Sequence, residues 1–348
     1  MNIFFLEYRD PLFSVIIFFV FIFLITFTSY WWGRFRASKN NKDLDKFLQQ
    51  FHTSPSSSEL KVLIKSGDLS EKSWLILANA YSDSGEYEKS IEIYKELLKL
   101  KKNQDEKEIL FLLGTTYFRA GFLQRAKVVF LEILKNHPRT PEALQYLLLV
   151  YEQMRDYESA CEVLLPLDEL EQDTLIQSAY LKVMIVLNGA KLSSQEKIDE
   201  LLEIYKLTNA NTHLIFEYLF KVNPKVAWQN LDAKKSELLL DILWLVDTKD
   251  LDLDIITKNS YLMELYTARG DLNLAKKSEV FEFDVLINLH SSSDATLSFE
   301  YVCDKCKQVS PFIFNRCSKC HSVDSSVIEI SLVKDYYRNF SEENNSFQ

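Results

Sequence analysis

Glycine and proline are scarce in this chain. Each occurs only seven times in 348 residues. That is far below average usage and leaves few residues for the tight turns of a β-sandwich or barrel. Hydrophobic residues make up 47% of the sequence, enough to bury a substantial core. The composition therefore excludes a disordered chain and predicts a mostly α-helical protein, long enough for two or more domains.

Positive charge is also in short supply. The chain has 40 Lys and Arg residues against 50 Asp and Glu, a formal net charge of −10. A phosphate backbone would be repelled by the chain as a whole, which argues against binding to nucleic acid through broad electrostatic attraction. We therefore expect protein partners and no nucleic acid.

Catalytic motifs are missing from the sequence as well. It contains no Walker-type glycine loop, no H-E-x-x-H sequence and no nucleophile elbow. The expectation is a protein that is not an enzyme, and no catalytic or organic-cofactor residue is predicted.

A long hydrophobic run lies near the amino terminus. Residues 11–33 read PLFSVIIFFVFIFLITFTSYWWG and contain no charged residue. At about 1.5 Å per residue, a helix of this length crosses a hydrocarbon core of about 30 Å. Tyr30, Trp31 and Trp32 close the run as an interfacial aromatic belt. We therefore predict a transmembrane anchor over residues 1–33.

The charges that flank this run predict its orientation. Four cations follow it (Arg34, Arg36, Lys39 and Lys42), whereas Arg9 on the other side is accompanied by Glu7 and Asp10. The positive-inside rule then places the carboxyl-terminal bulk in the cytoplasm. A cleaved signal peptide would need a basic start, a shorter apolar run and a small-residue cleavage site. A buried core helix would show a polar face. The run has none of these features.

Three segments in the middle of the chain superimpose column by column. They run from Leu77 to Tyr94, from Leu113 to Phe130 and from Leu147 to Leu164, with the tyrosines Tyr81, Tyr117 and Tyr151 spaced by 36 and then 34 residues. Small residues (Ser90, Ala126, Ala160) and large apolar ones (Tyr94, Phe130, Leu164) keep the same offsets. The pattern resembles the tetratricopeptide repeat, a helix-turn-helix unit of about 34 residues. Stacked units of this kind form a solenoid in which each repeat buries a face of the next.

Further copies of the pattern are weaker. Tyr266, Gly270 and Ala275 repeat the offsets of the second segment, and apolar periodicity between Leu167 and Lys258 predicts amphipathic helices. We interpret these stretches as degenerate repeats of one solenoid. The tyrosines of the repeats are assigned to core packing. Gly85 and Gly121 are assigned to the turns between paired helices, and Pro138 to the end of a repeat.

Four of the five cysteines lie in one short stretch, YVCDKCKQVSPFIFNRCSKC. Cys303 and Cys306 form one CxxC pair, and Cys317 and Cys320 form another after ten residues. Each pair can direct two thiolates at one metal ion from a tight turn, and a hairpin between the pairs completes a tetrahedron. A closed four-sulfur site favours a structural metal ion, zinc or iron, since tetrahedral sulfur sites hold either. His321 is interpreted as a bystander.

Three other uses of the cysteines compete with a structural metal site. Two thioredoxin-like redox pairs would need a βαβ context that the sequence does not offer. An iron–tetrathiolate redox sensor or electron carrier tethered to the membrane is the alternative function, and it predicts a red protein. A membrane-tethered zinc ribbon that binds nucleic acid is disfavoured by the acidic balance.

The order of anchor, repeats and cysteines resembles the lipopolysaccharide assembly protein B family of Gram-negative bacteria. The resemblance is most specific in YVCDKC, in CSKC ten residues later, and in YWWGRFR at the end of the anchor. It implies a non-enzymatic adaptor of the bacterial inner membrane, with a periplasmic amino terminus, that brings the lipid A deacetylase to a membrane AAA+ metalloprotease. It also implies that the four cysteines bind the metal in a rubredoxin-like knuckle packed on the repeats. Lys307 stands where the family commonly has glycine.

The predicted fold class is all-α. It comprises a right-handed tetratricopeptide-repeat solenoid, an amino-terminal transmembrane helix and a small rubredoxin-like four-cysteine knuckle. The expected boundaries are an anchor over 1–33, a juxtamembrane helix and linker over 34–59, a solenoid over 60–287, a linker over 288–300, a metal-binding domain over 301–333 and a polar tail over 334–348.

Overall fold

The structure, a computed structural model, describes residues 20–28, 57–66, 69–100, 106–289 and 295–334. It is mostly helical and divides into two compact units, one ending at Met154 and the other beginning at Arg155. Helix α1 covers residues 20–28. The remaining helices of the first unit are α2 Ser57–Ser66, α3 Glu71–Asp83, α4 Tyr87–Leu100, α5 Glu106–Arg119, α6 Leu123–Asn136 and α7 Pro141–Gln153.

The second unit contains shorter helices and all three described strands. Its α-helices are α8 Tyr157–Glu169, α9 Leu175–Asn188, α10 Ser194–Thr208, α11 Thr212–Val222, α12 Pro224–Asn230, α13 Leu240–Leu245, α14 Leu253–Ile256, α15 Ser260–Ala268 and α16 Phe281–Leu289. Two 3-10 helices cover Ala233–Leu239 and Thr248–Asp250. The strands are β1 Ala295–Cys303, β2 Val309–Ser310 and β3 Ser326–Lys334.

The predicted transmembrane anchor lies mainly outside the described residues. Helix α1 covers its centre, whereas residues 1–19 and 29–33 are not described, and the same holds for residues 34–56 of the predicted juxtamembrane segment. Within the described ranges, every helix is too short or too polar to cross a bilayer. The anchor and its orientation stay predictions.

Paired helices form the first unit as the repeat pattern predicts. Helix α3 packs on α4, α5 packs on α4 and α6, and α6 packs on α7. Gly85 and Gly121, at the predicted turns, have φ of +83° and +76°, the left-handed region that favours glycine. A Cβ atom at Gly114 would lie 2.8 Å from the Phe130 ring, so α5 and α6 approach each other too closely for any side chain there.

Most of the repeat tyrosines lie in the core. Tyr81, Tyr117 and Tyr266 are buried, as predicted. Tyr151 is only half-buried, with Lys127 Nζ 4.7 Å from the centroid of its ring. Core packing is therefore wrong as a full account of Tyr151, whose ring also offers its face to a cation.

The last predicted repeat forms its first helix, but Ala275 lies in a stretch that is not helical. Helix α15 carries Tyr266, and Gly270 turns the chain with φ of +89°, but residues 271–280 are not helical. The Thr267 hydroxyl instead accepts hydrogen bonds from the backbone N–H groups of Leu274 and Ala275, both at 3.2 Å. The Thr267 side chain thus binds the connection that follows Gly270, and the next helix, α16, begins only at Phe281.

A three-stranded antiparallel sheet follows the helices, with β1 between β2 and β3. Strand β1 begins at Ala295, so residues 295–300, predicted as linker, belong to the cysteine-bearing sheet. Its pairing with β3 runs from Ala295 opposite Lys334 to Cys303 opposite Ser326. Of the predicted polar tail, Lys334 ends β3 and residues 335–348 lie outside the described ranges. The purely α fold class is therefore corrected by this sheet.

Candidate metal centre

The four predicted ligand residues lie on two turns at one end of the sheet. Strand β1 delivers Cys303 to its last position, and Cys306 follows in the turn before β2. Cys317 and Cys320 lie in a second turn, which is closed by a bridge between Arg316 and Val323 just before β3. The two cysteine pairs therefore come from separate tight turns held by one sheet.

The two turns have matching backbone hydrogen bonds. Lys307 N–H donates to Cys303 O, and His321 N–H donates to Cys317 O, each at 2.9 Å. The first cysteine of each pair also donates its N–H to the residue five positions later, again at 2.9 Å. Lys307 and His321 both take left-handed backbone, with φ of 58° and 60°. This explains why glycine is suited to either position.

The sulfur atoms converge on one point. Cys303 Sγ lies 3.6 Å from Cys320 Sγ, Cys306 Sγ lies 3.6 Å from Cys317 Sγ, and all four lie within 4.8 Å of one another. A tetrahedral zinc ion with Zn–S bonds of about 2.3 Å separates its sulfurs by about 3.8 Å. The cluster therefore has the size of a single tetrahedral metal site. Among the described residues, the group that could hold a metal ion consists of these four cysteines and does not include His321.

Burial and hydrogen bonding make the sulfurs unequal. Cys303 and Cys317 are buried, Cys306 is half-buried and Cys320 is exposed. Burial disfavours the Cys303 thiolate, but hydrogen bonds from the Ser325 and Ser322 hydroxyls and from backbone N–H groups outweigh it and lower the pKa of Cys303 to about 5. Around Cys306, burial and the neighbouring sulfurs outweigh the Gln308 N–H and raise its pKa to about 12. Repulsion among four close thiolates would be relieved by a cation bound between them.

Two positive side chains near the cluster, Lys305 and Arg316, have partners within the protein. Lys305 Nζ lies 3.1 Å from Asp304 Oδ2. Arg316 donates from Nη1 to His321 O at 2.6 Å, and its guanidinium carbon lies 5.4 Å from the centroid of the Tyr180 ring on α9. Arg316 therefore connects the second cysteine turn to the helices.

A buried polar network docks the sheet onto the helices. Tyr301, on β1, donates its hydroxyl proton to Asp241 Oδ2 at 2.8 Å, and His213 Nε2 lies 2.9 Å from both Asp241 oxygens. Asp241 is 6% exposed. Burial opposes its ionisation, yet the bonds from His213, Tyr301 and Ile242 N–H hold its pKa below the ordinary value. Sequence reasoning missed Asp241 and His213, because a single Asp and a single His on two helices form no motif.

A groove of about 520 Å³ opens beside this network. Apolar side chains of helices and sheet line it, among them Phe220, Leu245, Phe299 and Ile313, together with Glu217, Asp247, Asp250 and Lys221. Leu245 is 77% exposed, so this apolar side chain of the groove is open to solvent.

Comparison with known proteins supports the repeat assignment. Residues 73–108 match the family described as "Tetratricopeptide repeat". Regulatory protein RapD of Bacillus subtilis (strain 168) is 28% identical over 190 residues, which are 51% of this chain and 48% of that protein. The chain thus matches about half the length of this curated relative.

Two solved structures are also similar. A tetratricopeptide repeat protein from Parabacteroides merdae ATCC 43184 has a TM-score of 0.38 at 18% identity, covering 56% of this chain and 76% of that chain. BtubC (BKLC) from P. vanneervenii has a TM-score of 0.24 at 12% identity, covering 72% of this chain and 87% of that chain. On the family match and the observed helical pairs, this chain contains a tetratricopeptide repeat in its first unit, and a cluster of four cysteines follows in its second.

Proposed function

We propose that this protein is a membrane-anchored adaptor that binds other proteins through its helices and uses a structural metal ion to fix the cysteine-bearing sheet. The observation that carries the proposal is the pairing of helices over residues 73–108, where the tetratricopeptide family matches. Such repeats present extended surfaces to protein partners. A closed set of four thiolates leaves no open coordination position for a substrate, in keeping with a protein that is not an enzyme.

The groove beside Asp241 is the proposed contact surface of the second unit. Its apolar side chains would bury an aliphatic or aromatic side chain of the partner. Apart from the Asp241 network, the groove is lined by three acidic residues and one basic residue, namely Glu217, Asp247, Asp250 and Lys221. The partner segment is therefore expected to be apolar and basic.

Two matched leucines test this surface. Leu245→Asp places a charge in the groove, whereas Leu207→Asp makes the same change at a leucine of α10 that is 78% exposed and does not line the groove. Partners are crosslinked in intact membranes and identified, and a purified candidate is then titrated into each purified variant by calorimetry. We expect at least tenfold weaker binding to Leu245→Asp and unchanged binding to Leu207→Asp. Equal affinities for both variants would exclude the groove, although not the adaptor function.

The specific proposal is regulation of lipopolysaccharide synthesis at the bacterial inner membrane. It rests on the resemblance in YVCDKC, CSKC and YWWGRFR, and on the order of predicted anchor, repeats and cysteines. The similarity to a regulatory protein supports a regulatory role in general terms. In this proposal the protein brings the lipid A deacetylase to a membrane AAA+ metalloprotease, with the repeats in the cytoplasm.

Deletion of the gene tests the specific proposal. The deacetylase should accumulate and its half-life should lengthen, because the adaptor that delivers it to the protease is lost. Membrane crosslinking should recover the protease with the intact chain. Unchanged deacetylase levels together with no recovered protease would leave only a general adaptor.

A further inference from the structure

A small cavity lies where the cysteine-bearing sheet meets the helices. Its volume is about 20 Å³, and its lining includes Asn211, His213 and Leu214 from the helical side and Ile313, Asp324 and Ser326 from the sheet side. A cavity needs roughly 10–15 Å³ to hold one water molecule. This cavity therefore has room for one small molecule and no more.

Three buried polar atoms on its lining residues lack a hydrogen-bond partner. They are Asn211 Nδ2, His213 Nδ1 and Ser326 Oγ. Asn211 is only 3% exposed, so its amide cannot turn to bulk solvent. A buried polar group without a partner costs about 1–3 kcal/mol, and such groups are rarely left alone in folded proteins.

The chemistry of the three atoms selects the molecule that joins them. An ionised Asp241 accepts only, so its contact at 2.9 Å places a proton on Nε2 of His213, and Nδ1 is the ring nitrogen left without a partner. Asn211 Nδ2 is a donor, and the Ser326 hydroxyl can donate or accept. A cation would be repelled by the amide N–H groups. Water can accept from Asn211 and, being both donor and acceptor, pair with His213 Nδ1 and the Ser326 hydroxyl at the same time.

We propose that this cavity is a binding site for a single structural water molecule, held by Asn211, His213 and Ser326. The water completes a chain of hydrogen bonds from Tyr301 on β1, through Asp241 and His213, back to Ser326 on β3. Asn211 is fixed beside the sheet because its backbone N–H donates to Asp324 Oδ2 at 2.7 Å. The docked position of the cysteine-bearing sheet thus includes a bound solvent molecule.

Two serine variants of β3 test the site in the full chain. Ser326→Val suits a strand and puts methyl groups into the cavity in place of the hydroxyl. Ser331→Val makes the same change five residues further along the strand, at an exposed position. Water oxygen-17 relaxation dispersion counts long-lived waters, and a crystal structure at high resolution locates them.

We expect electron density about 2.7–3.2 Å from all three polar atoms. One long-lived water should be lost in Ser326→Val and none in Ser331→Val. A dry cavity in the crystal, or the same number of long-lived waters in all three proteins, would overturn the proposal.

A second variant covers the case in which Ser326→Val does not fold. Asn211 has φ of 55°, which glycine adopts without strain, so Asn211→Gly removes the donor and keeps the backbone. The contribution of one water to the relaxation dispersion should disappear in this variant. An unchanged dispersion profile would show that no water is held by Asn211.

Discussion

Removal of the Tyr301 hydroxyl should loosen the cysteine-bearing sheet. Tyr301→Phe deletes the 2.8 Å hydrogen bond to Asp241 while leaving the ring in place. A hydrogen bond to a charged group contributes about 1.5–3 kcal/mol. Asp241 keeps His213 and the Ile242 N–H, the latter at 2.9 Å, so its charge stays partnered. The loss of stabilising free energy should therefore be about 1.5 kcal/mol, roughly a tenfold change in the equilibrium constant for local opening of the sheet.

Hydrogen exchange is the suitable assay, because two compact units and a candidate metal site prevent a simple two-state unfolding experiment. Peptides covering β1 and β3 should exchange about tenfold faster in Tyr301→Phe under conditions in which exchange reports local opening. Peptides from α3 to α6, in the other unit, should not change. The matched control is Tyr261→Phe, which removes the hydroxyl of a largely buried tyrosine that packs on Phe283.

The control should leave β1 exchange close to that of the wild type. If Tyr301→Phe leaves β1 exchange unchanged, or alters it no more than Tyr261→Phe does, then the bond to Asp241 does not hold the sheet. The docking account given above would then be wrong.

Four other predictions follow from the structure. Cys317→Ser should release the metal ion and expose the sheet to proteolysis, since metal binding supplies folding energy to so small a unit. Elemental analysis of the purified variant measures the metal content. The wild-type protein should be red if it binds iron and colourless if it binds zinc. Lys307→Gly should raise stability by up to about 1 kcal/mol, because φ at this position is 58° and glycine adopts it without strain. Lys319→Gly, at a position outside the left-handed region, should not raise stability. Thermal unfolding of the two variants and the wild type measures the difference. Gly114→Ala should destabilise the first unit by about 1–3 kcal/mol through overpacking, measured by hydrogen exchange of α5 and α6. The folded-state pKa of Asp241 is depressed below 3.8, so its charge should stabilise the fold fully above that pH and progressively less as the pH falls through the folded pKa. The stability that Asp241→Asn loses relative to the wild type should therefore shrink on acidification. A loss that grows on acidification would contradict this.

Local patterns made the helical part predictable. Gly85 and Gly121 indicated turns because a left-handed backbone is cheap only for glycine, and both have positive φ. The tyrosine spacing indicated paired helices because a repeat imposes the same packing at each copy. Where the pattern weakened, the prediction failed: residues 271–280, after Gly270, are not helical.

The strands were predictable in principle. Leu297, Phe299 and Tyr301 alternate with smaller or polar residues along β1, which is the period of a half-buried strand. The polar residues that precede this signal favour a linker, so the predicted boundary of the cysteine-bearing domain lies too late in the chain.

The sequence by itself determined the repeat and the ligand types, since spacing along the chain fixes which side chains share a helix face or a turn. Two CxxC pairs predict a tetrahedral site from local geometry alone, and the structure brings their sulfurs within 4.8 Å. Only the tertiary structure decided what surrounds that site. Asp241, His213 and Tyr301 meet through bonds that span 28 and 60 residues of sequence. No local propensity encodes such a contact, because it depends on how packed helices and a sheet bring distant residues together.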